Sequence, residues 1–424
     1  MHFLRGGLNA YAIYMLYSGL SAFAQNTIFT MNMVYQVETV KLNPLQLVLV
    51  GTMLETTCFL CQVPTGVLAD TYSRRLSIII GTLLCGVGFL IEGLFPTFVV
   101  VLLSQVLWGI GATFTSGAQE AWVSDEVGTE KVGRAFIRAT QIGQIAALAS
   151  IPFSTWLAAT RLNIPIITGS LMLIALSVFL FIVMPERHFR AAAREERSSW
   201  RAMGKMMVDG FKTVRRSSPL LIILAITVFA AMSSEGFDRL DIAHFVHDYT
   251  FPLPGHLSSV TWFGIIRAGA MLLTLLVTEI IRRGVDMRKQ RATVIAMFGC
   301  QLGLIIGLAV FALSGNFYVA LLAYWIARTC RNADMPLYDA WLVQNSDPRM
   351  RATIISMFGQ VDAIGQIAGG PGIGLIGSLI SLRTALLATC AILFPNIFFF
   401  VRALQLSKRE PLEIEEEDAC NLTL

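Results

Sequence analysis

The sequence predicts an all-α membrane protein, with twelve transmembrane helices arranged as two parallel six-helix repeats. Its composition, the spacing of its apolar segments and an internal repeat support this fold class. Of the 424 residues, 55% are hydrophobic and 14% are charged, whereas about 25% of the residues in a soluble domain are charged. A soluble chain of this length is expected to form two or three domains, so the composition favours a membrane protein.

Apolar segments of spanning length occur twelve times along the chain. A transmembrane helix needs about 20 mostly apolar residues. The first segment is too long for a signal peptide and eleven more follow it, so we expect it to be retained as a helix. The segments are 8–37, 44–68, 76–95, 97–122, 134–160, 164–184, 219–246, 258–281, 291–314, 316–342, 351–379 and 382–405.

Two stretches of the first half recur in the second half. Residues 102–123 resemble residues 321–342 at an offset of 219, and both contain an acid followed by Ala-Trp. The pentapeptide Ile-Gly-Gln-Ile-Ala occurs at 142–146 and again at 364–368, at an offset of 222. These matches fall on equivalent segments, which indicates a duplication. Because each copy has six spans, an even number, both copies are predicted to have the same orientation in the membrane.

Basic residues lie almost entirely on one side of the predicted membrane. The loops on the other side contain Lys41, Arg161 and Arg383, whereas the central linker alone carries nine Lys and Arg residues. The positive-inside rule therefore predicts that both termini and the linker are cytoplasmic. Topology and anionic lipid headgroups explain these basic residues, so the net charge of +4 does not indicate nucleic acid.

These features divide the chain into four predicted parts. Residues 1–185 form an N-terminal six-helix bundle and residues 219–405 a C-terminal six-helix bundle. The linker, 186–218, alternates charged and apolar residues, which predicts an amphipathic helix on the membrane surface. Residues 406–424 form an acidic cytoplasmic tail that is expected to be solvated and disordered.

The loop after the second segment combines a small residue, a carboxylate and two guanidinium groups. Residues 66–75 read Gly-Val-Leu-Ala-Asp-Thr-Tyr-Ser-Arg-Arg. Asp70 is predicted to cap the helical turn that follows it. Arg74 and Arg75 are predicted to stay on the cytoplasmic side and to pair with nearby acids.

This loop resembles the G-x-L-A-D-x-x-x-R-R signature of the major facilitator superfamily, and the twelve segments and basic linker match that family over essentially the whole chain. The resemblance implies the major facilitator fold, two six-helix bundles that work by alternating access. It also implies a conformational motif that stabilises one state of the protein, with an acid at the end of the fourth span as partner. The motif residues are Gly66, Asp70, Arg74, Arg75, Glu120 and Asp125.

Within this superfamily, Gly109–Ala112 and Gly117–Trp122 are similar to the fourth span of bacterial multidrug and tetracycline-type proton antiporters. Two features depart from those pumps. Gln105 stands where they often place an arginine, and residues 142–152 lack their glycine-proline signature, although a similar run occurs at 365–372. The resemblance implies proton-coupled efflux, and the short outer loops predict a multi-pass protein of a bacterial inner membrane.

Carboxylates inside the membrane are the candidates for proton coupling. A charged side chain at mid-membrane depth costs about 2.5–3.5 kcal/mol on insertion scales, so it usually faces a cavity or a partner. Four acids are named as candidates: Glu55, Glu235, Asp238 and Asp362. Structural ion pairs are the alternative, for example Asp362 with Arg331 or Glu235 with Arg267.

Polar and aromatic side chains of the predicted spans are candidates for lining a substrate cavity. Amides would hydrogen-bond a substrate, aromatic rings suit an amphipathic organic ligand, and arginines would bind an anionic one. Packing between helices is the alternative for each residue. The candidates are Gln25, Asn26, Phe29, Gln141, Gln144, Arg267, Tyr324, Arg328, Arg331 and Gln360.

The leading functional prediction is a secondary active transporter that exports amphipathic, drug-like organic compounds in exchange for protons. The alternatives are a proton-coupled symporter for a nutrient or organic anion and a transporter-like membrane sensor without transport. The sequence contains no Walker phosphate loop, no H-E-x-x-H and no nucleophile-elbow motif, so we do not expect an enzyme, a cofactor or a bound metal. The expected partners are a small organic substrate, protons and the bilayer, with the protein acting as a monomer.

Overall fold

The computed structural model describes residues 9–189, 191, 200–252, 258–348 and 350–407, and all regular secondary structure within these ranges is helical. The helices are α1 (Ala10–Glu38), α2 (Pro44–Thr71), α3 (Arg74–Leu94), α4 (Phe98–Thr115), α5 (Ala118–Val127), α6 (Thr129–Ala158), α7 (Ile164–Val183), α8 (Trp200–Arg215), α9 (Ser218–Asp248), α10 (Ser259–Gly284), α11 (Gln290–Leu313), α12 (Phe317–Gln344), α13 (Arg351–Leu379), α14 (Leu382–Leu393) and α15 (Pro395–Leu406).

Two of the predicted spans are divided by a local break that the apolar pattern does not show. Between α4 and α5, Gly117 has φ +75°, a left-handed conformation that glycine adopts without a steric penalty. Between α14 and α15, Pro395 has no amide hydrogen to continue the helical ladder. Each break leaves one long, nearly continuous helix.

Eight of the described helices are long and apolar enough to cross a membrane, counting α4 with α5 and α14 with α15 as one each. Together they establish a multi-pass membrane protein. The other long helices, α1, α6, α12 and α13, have 29, 30, 28 and 29 residues and coincide with the four remaining predicted spans. The total of twelve spans and the cytoplasmic termini stay predictions.

Helix starts follow local capping chemistry. Asn43 and Gln46 form a reciprocal capping box at the start of α2, with Pro44 in the first turn. The Ser381 side chain accepts from the Thr384 amide at the start of α14. The expected cap of α3 is wrong, because Asp70 lies inside the last turn of α2 and Ser73 caps α3 by accepting from the Leu76 amide at 3.0 Å.

The chain forms two compact units, one comprising residues 1–203 and 245–268 and the other residues 204–244 and 269–424. In the first unit, α3 packs closely on α4, since a β-carbon added to Gly81 would lie 2.6 Å from the Gly111 carbonyl oxygen. In the second, α11 packs closely on α12, where Gly307 lies against the Ala323 carbonyl. Small residues at such contacts let helix backbones approach within a membrane.

The predicted linker helix corresponds to α8. It carries Lys212 and Arg215 in its last turn, and Trp200, Val208 and Phe211 are exposed. Its position on the membrane surface stays a prediction. Residues 190 and 192–199 of the linker, and the acidic tail from 408 to 424, lie outside the described residues.

Candidate functional site

The second unit contains a cavity of about 430 Å³, here called the C-terminal cavity. Side chains of α9, α11, α12, α13 and α14 line it, and its apolar wall includes Phe237, Leu304, Leu308 and Phe358. Its polar and ionisable lining consists of Gln301, Arg331, Asp334, Tyr338, Asp339, Asp362 and Gln366, with further hydroxyls and thiols.

Three carboxyl groups face this cavity. Asp362 accepts a hydrogen bond from the Gln366 amide at 2.8 Å. The Oδ1 atom of Asp334 is buried and has no hydrogen-bond partner among the described residues. Asp339, one turn further along α12, is exposed. The cavity therefore presents carboxyl oxygens with capacity for another donor.

The arginines beside the cavity are neutralised by acids of α9. Arg328 contacts Asp238 at 2.5 Å and Asp241 at 2.6 Å, and its guanidinium lies 4.7 Å from the ring centroid of Phe237. Arg331 contacts Asp238 at 2.7 Å and the Ser234 carbonyl at 3.4 Å. Both guanidinium groups thus have acidic partners within the protein.

Glu235 and Asp362 each have a partner on their own helix. Glu235 is buried and pairs with Arg239 of its own helix at 3.2 Å. Arg267 donates to Asn26 at 3.3 Å. The hydrogen bond of Asp362 is to Gln366, while the salt bridge of Arg331 is to Asp238.

The charge balance of this region is uneven. The acids Glu235, Asp238 and Asp241 are matched by the three arginines of α9 and α12 described above. Among the described residues, the three carboxyl groups of the cavity wall form no ion pair of this kind. Arg331, the single basic residue of that lining, contacts Asp238, and its charge also acts on Asp362. The C-terminal cavity therefore has an excess of acidic groups.

The first unit contains a cavity of about 500 Å³, here called the N-terminal cavity, which is mainly neutral and polar. It includes Gln25, one of the cavity candidates, and Glu120, which is exposed. The remaining lining is Tyr14, Tyr17, Ser18, Ser21, Ala22, Gln119, Phe136, Ala139 and Thr140.

Several cavity candidates lie elsewhere. Phe29 packs on Phe89 and Trp108, with ring centroids 5.4 and 4.9 Å away, so it belongs to a core cluster. Tyr324 is buried against Phe237. Three further cavity candidates lie outside both cavity linings: the exposed Gln141 and Gln144 on α6 and the buried Gln360 on α13. The proton-coupling candidate Glu55, half-buried on α2, also lies outside both linings.

Asp334 and Asp339 are functional candidates that the sequence analysis did not select. Their signal is the helical spacing of polar residues on α12, because Cys330, Asp334 and Tyr338 are four residues apart and all face the cavity. A further buried acid, Glu92 on α3, was also missed, although it is fully enclosed by the first unit.

The conformational motif lies at the start of α3. Arg74 contacts Asp125 of α5 and lies 3.9 Å from Asp70, whereas Glu120 faces the N-terminal cavity. The Arg75 guanidinium donates to the Phe181 carbonyl at 2.5 Å.

The segment after α7 is fixed to this motif. Glu186 accepts from the Ser73 hydroxyl at 2.6 Å and from the Arg75 amide at 2.9 Å. The beginning of the linker is therefore bound to the start of α3.

The model of the Major Facilitator Superfamily matches residues 14–327, well over half of the chain. The chain belongs to the Major Facilitator Superfamily. It is accordingly a membrane transporter by family, and the superfamily predicted from residues 66–75 is confirmed. The finer resemblance to multidrug and tetracycline-type antiporters stays a prediction.

Relatives of known sequence or structure agree with this assignment. The chain is 20% identical over 359 residues to the uncharacterized MFS-type transporter YxaM of Bacillus subtilis (strain 168), covering 84% of this chain and 86% of the relative.

Among solved structures, the nucleoside transporter NupG (D323A mutant) superposes with a TM-score of 0.73 at 15% identity, covering 93% of this chain and 100% of that one. A bacterial homologue of the human lysosomal transporter Spinster superposes with a TM-score of 0.71 at 14% identity, covering 94% of this chain and 97% of that one. The human organic anion transporter MFSD10 superposes with a TM-score of 0.60 at 14% identity, covering 92% of this chain and 98% of that one. At these identities the similarity establishes the fold and leaves the substrate open.

Proposed function

We propose that this protein is a proton-coupled secondary transporter that exports an amphipathic organic compound with a positive charge in exchange for protons. The observation that carries the proposal is the excess of carboxyl groups in the C-terminal cavity: Asp334, Asp339 and Asp362 face it, and the arginine beside them is already paired. Alternating access would open this cavity to each side of the membrane in turn.

The exchange of a cationic substrate for protons follows from the chemistry of a carboxyl group in an apolar environment. An ionised carboxylate is costly there unless a proton or a cation neutralises it. A proton and a cationic substrate therefore compete for the same group, and the arrival of one favours release of the other. The apolar wall, with Phe237 and Phe358, suits the hydrophobic part of an amphipathic substrate.

An anionic substrate is less well supported by this geometry. Arg328 and Arg331 would be its binding groups, yet both already contact Asp238. Displacing Arg328 would leave the buried Asp241 without its partner, and displacing Arg331 would separate a half-buried pair, and both are costly. The names of the relatives, among them a nucleoside and an organic anion transporter, nevertheless favour keeping proton-coupled symport as the second candidate.

The test is transport by the full chain in proteoliposomes. The probe is an aromatic quaternary ammonium compound, because it has no neutral form that could cross the bilayer as a weak base. We expect it to accumulate in vesicles that are acidic inside and to accelerate the collapse of the pH gradient. Asp362→Asn should abolish both effects. Asp286→Asn is the matched control, since this exposed carboxyl belongs to a loop.

Three outcomes separate the candidates. Accumulation in acidic vesicles with proton loss supports antiport. Accumulation of a nucleoside or organic anion only in vesicles that are alkaline inside would contradict antiport and support symport. No flux of any compound under either gradient would contradict transport and favour the sensor.

A further inference from the structure

The first unit contains a fully buried acid that the proposed function does not use. Glu92 lies in the last turn of α3 and its side chain is 0% exposed. It is 18 residues from Arg74, the first residue of α3, and thus about 27 Å away along the helix. Glu92 and the conformational motif therefore lie at opposite ends of this unit. The predicted topology assigns the end with Glu92 to the outer side of the membrane.

Neutral side chains of two other helices surround its carboxyl group. The Asn32 and Gln36 amides of α1 both donate to Oε1 at 2.8 Å. Ser104 of α4 lies 2.5 Å from Oε2, which is at the short, charge-assisted end of the range for O–H···O bonds. The side chains of Gln36 and Ser104 are also 0% exposed. The three helices converge on one carboxyl group without access to water.

Ser104 makes this arrangement compatible with two protonation states. A hydroxyl group can donate or accept, so Ser104 can donate to an ionised Oε2 or accept a proton that Oε2 carries. The amides continue to donate to Oε1 in both cases. Burial favours the neutral acid and the three donors favour the carboxylate, so the two influences oppose each other.

The cluster also contains an unused acceptor. The Oε1 atom of the Gln36 side chain is buried and accepts no hydrogen bond from the described residues. The Tyr35 phenol of α1 is a titratable group beside Glu92 and donates to the Glu92 carbonyl oxygen at 2.8 Å. The basic residues of the adjoining loops, Lys41 and Arg161, are exposed.

We propose that Glu92 is a second proton-binding site of this transporter, formed with Asn32, Gln36 and Ser104 and separate from the carboxyl groups of the C-terminal cavity. The bound proton is occluded in this conformation, because Glu92 is 0% exposed and the three side chains that hydrogen-bond its carboxyl group are buried. Exchange with the outside then requires α1 or α4 to move away from α3. The proposal does not depend on the substrate or on the direction of transport.

Infrared difference spectroscopy of the full chain in lipid nanodiscs tests this site directly. A protonated carboxyl group gives a C=O stretching band that a carboxylate lacks. We expect a band that appears as the pH is lowered and that is lost in Glu92→Gln. Glutamine keeps the shape of the protonated acid and can still accept from the α1 amides and donate to Ser104, so this variant should fold.

Ser104→Ala provides the second variant. It keeps Glu92 but removes a donor to the ionised oxygen, so a larger share of the acid form is expected at the same pH. Glu130→Gln is the control, because this exposed carboxyl lies on α6 and its loss should leave the Glu92 band in place.

Two results would overturn the proposal. If the spectra of Glu92→Gln and the parent agree at every pH at which both are folded, Glu92 does not bind a proton in that range. If the band is lost in Glu92→Gln but does not change with pH in the parent, the carboxyl is a permanently protonated structural group. Either result leaves the function proposed for the C-terminal cavity intact.

Discussion

At the scale of single residues, the acids and arginines of α9, α12 and α13 divide into two groups with different surroundings. Arg328 bridges Asp238 and Asp241 through two short contacts, and Asp241 is 2% exposed. This is the geometry of a buried ion network, in which loss of one partner leaves an uncompensated charge. Asp334 and Asp362 face open space instead and have capacity for a ligand.

Replacing Arg328 tests whether its ion pairs with Asp238 and Asp241 stabilise the fold. We expect Arg328→Met to lower the free energy of unfolding by about 3–5 kcal/mol, because the buried Asp241 loses its cation and Asp238 loses one of its two. Thermal and denaturant unfolding in detergent would measure the change. Arg282→Met is the control, since Arg282 forms an exposed pair with Glu279 at 2.7 Å, and such pairs contribute about 0–1 kcal/mol. Equal effects of the two variants would show that the α9–α12 network does not stabilise the fold.

Residue chemistry also explains what the sequence could and could not predict about the site. Asp362 and Arg331 were selected as charges inside a span, and both line the C-terminal cavity. Asp334 was not selected, because a sequence does not show which face of α12 meets open space. Glu92 was missed because an acid near the end of a span normally reaches the interface, whereas here three neutral side chains enclose it.

At the scale of helices, close backbone contact holds neighbouring elements together. The Gly81 and Gly111 pair brings α3 against α4, with no space for a β-carbon on either residue. Helix limits were predictable from hydropathy to within a few residues, and α13 has the predicted limits of 351 and 379. The break between α4 and α5 was not predictable, because it depends on the backbone conformation of Gly117 and leaves the apolar pattern continuous.

Gly81→Ala tests the α3–α4 contact. We expect a loss of about 1–3 kcal/mol in the free energy of unfolding, since the added methyl group must push the two backbones apart. Gly133→Ala is the matched control, because nothing lies within 4 Å of a β-carbon at that helical position. That substitution should be neutral or slightly stabilising. A neutral result for both would contradict the close packing of α3 on α4.

The contact between Arg74 and Asp125 joins α3 to α5 and is the part of the conformational motif most open to test. Asp125→Asn should shift the conformational equilibrium by about 1–3 kcal/mol away from the state described here, with little change in the unfolding temperature. Accessibility of single cysteines on α5 to a membrane-impermeant reagent would report the shift.

The control for this experiment is Asp209→Asn, which removes an exposed carboxyl paired with Lys212 on α8 at 3.7 Å. If the cysteines on α5 are labelled at the same rate in Asp125→Asn and in Asp209→Asn, the Arg74 contact does not select a conformational state. The role given to the motif by family resemblance would then be wrong for this chain.

At the scale of the whole molecule, membership of the superfamily and the multi-pass topology are established, whereas the number of spans and their orientation remain predictions. Charge asymmetry makes the orientation testable, because nine basic residues of the linker are predicted to be cytoplasmic. In a cysteine-free background, a cysteine at Ser217 should be protected from an impermeant reagent in intact cells. A cysteine at Ser314, in the short link before α12, should react. The reverse pattern would contradict the predicted orientation.

The two units differ chemically even though the sequence halves repeat. The N-terminal cavity is lined mainly by amides, hydroxyls and tyrosines, whereas the C-terminal cavity carries three carboxyl groups. Carboxyl groups that could bind a proton or cation from open space are thus concentrated in the second unit, whereas the polar groups of the N-terminal cavity are mainly neutral.

The central claim is that a proton and a cationic substrate compete for the carboxyl groups of the C-terminal cavity. Proton release on binding tests it most directly, with purified protein in a weakly buffered solution, a pH indicator and the quaternary ammonium probe. We expect protons to be released in proportion to the probe that binds, and both binding and release to fall at least about tenfold in Asp334→Asn/Asp362→Asn, equivalent to about 1.4 kcal/mol. Binding of the probe without proton release, or release that is unchanged in the double variant, would contradict the account.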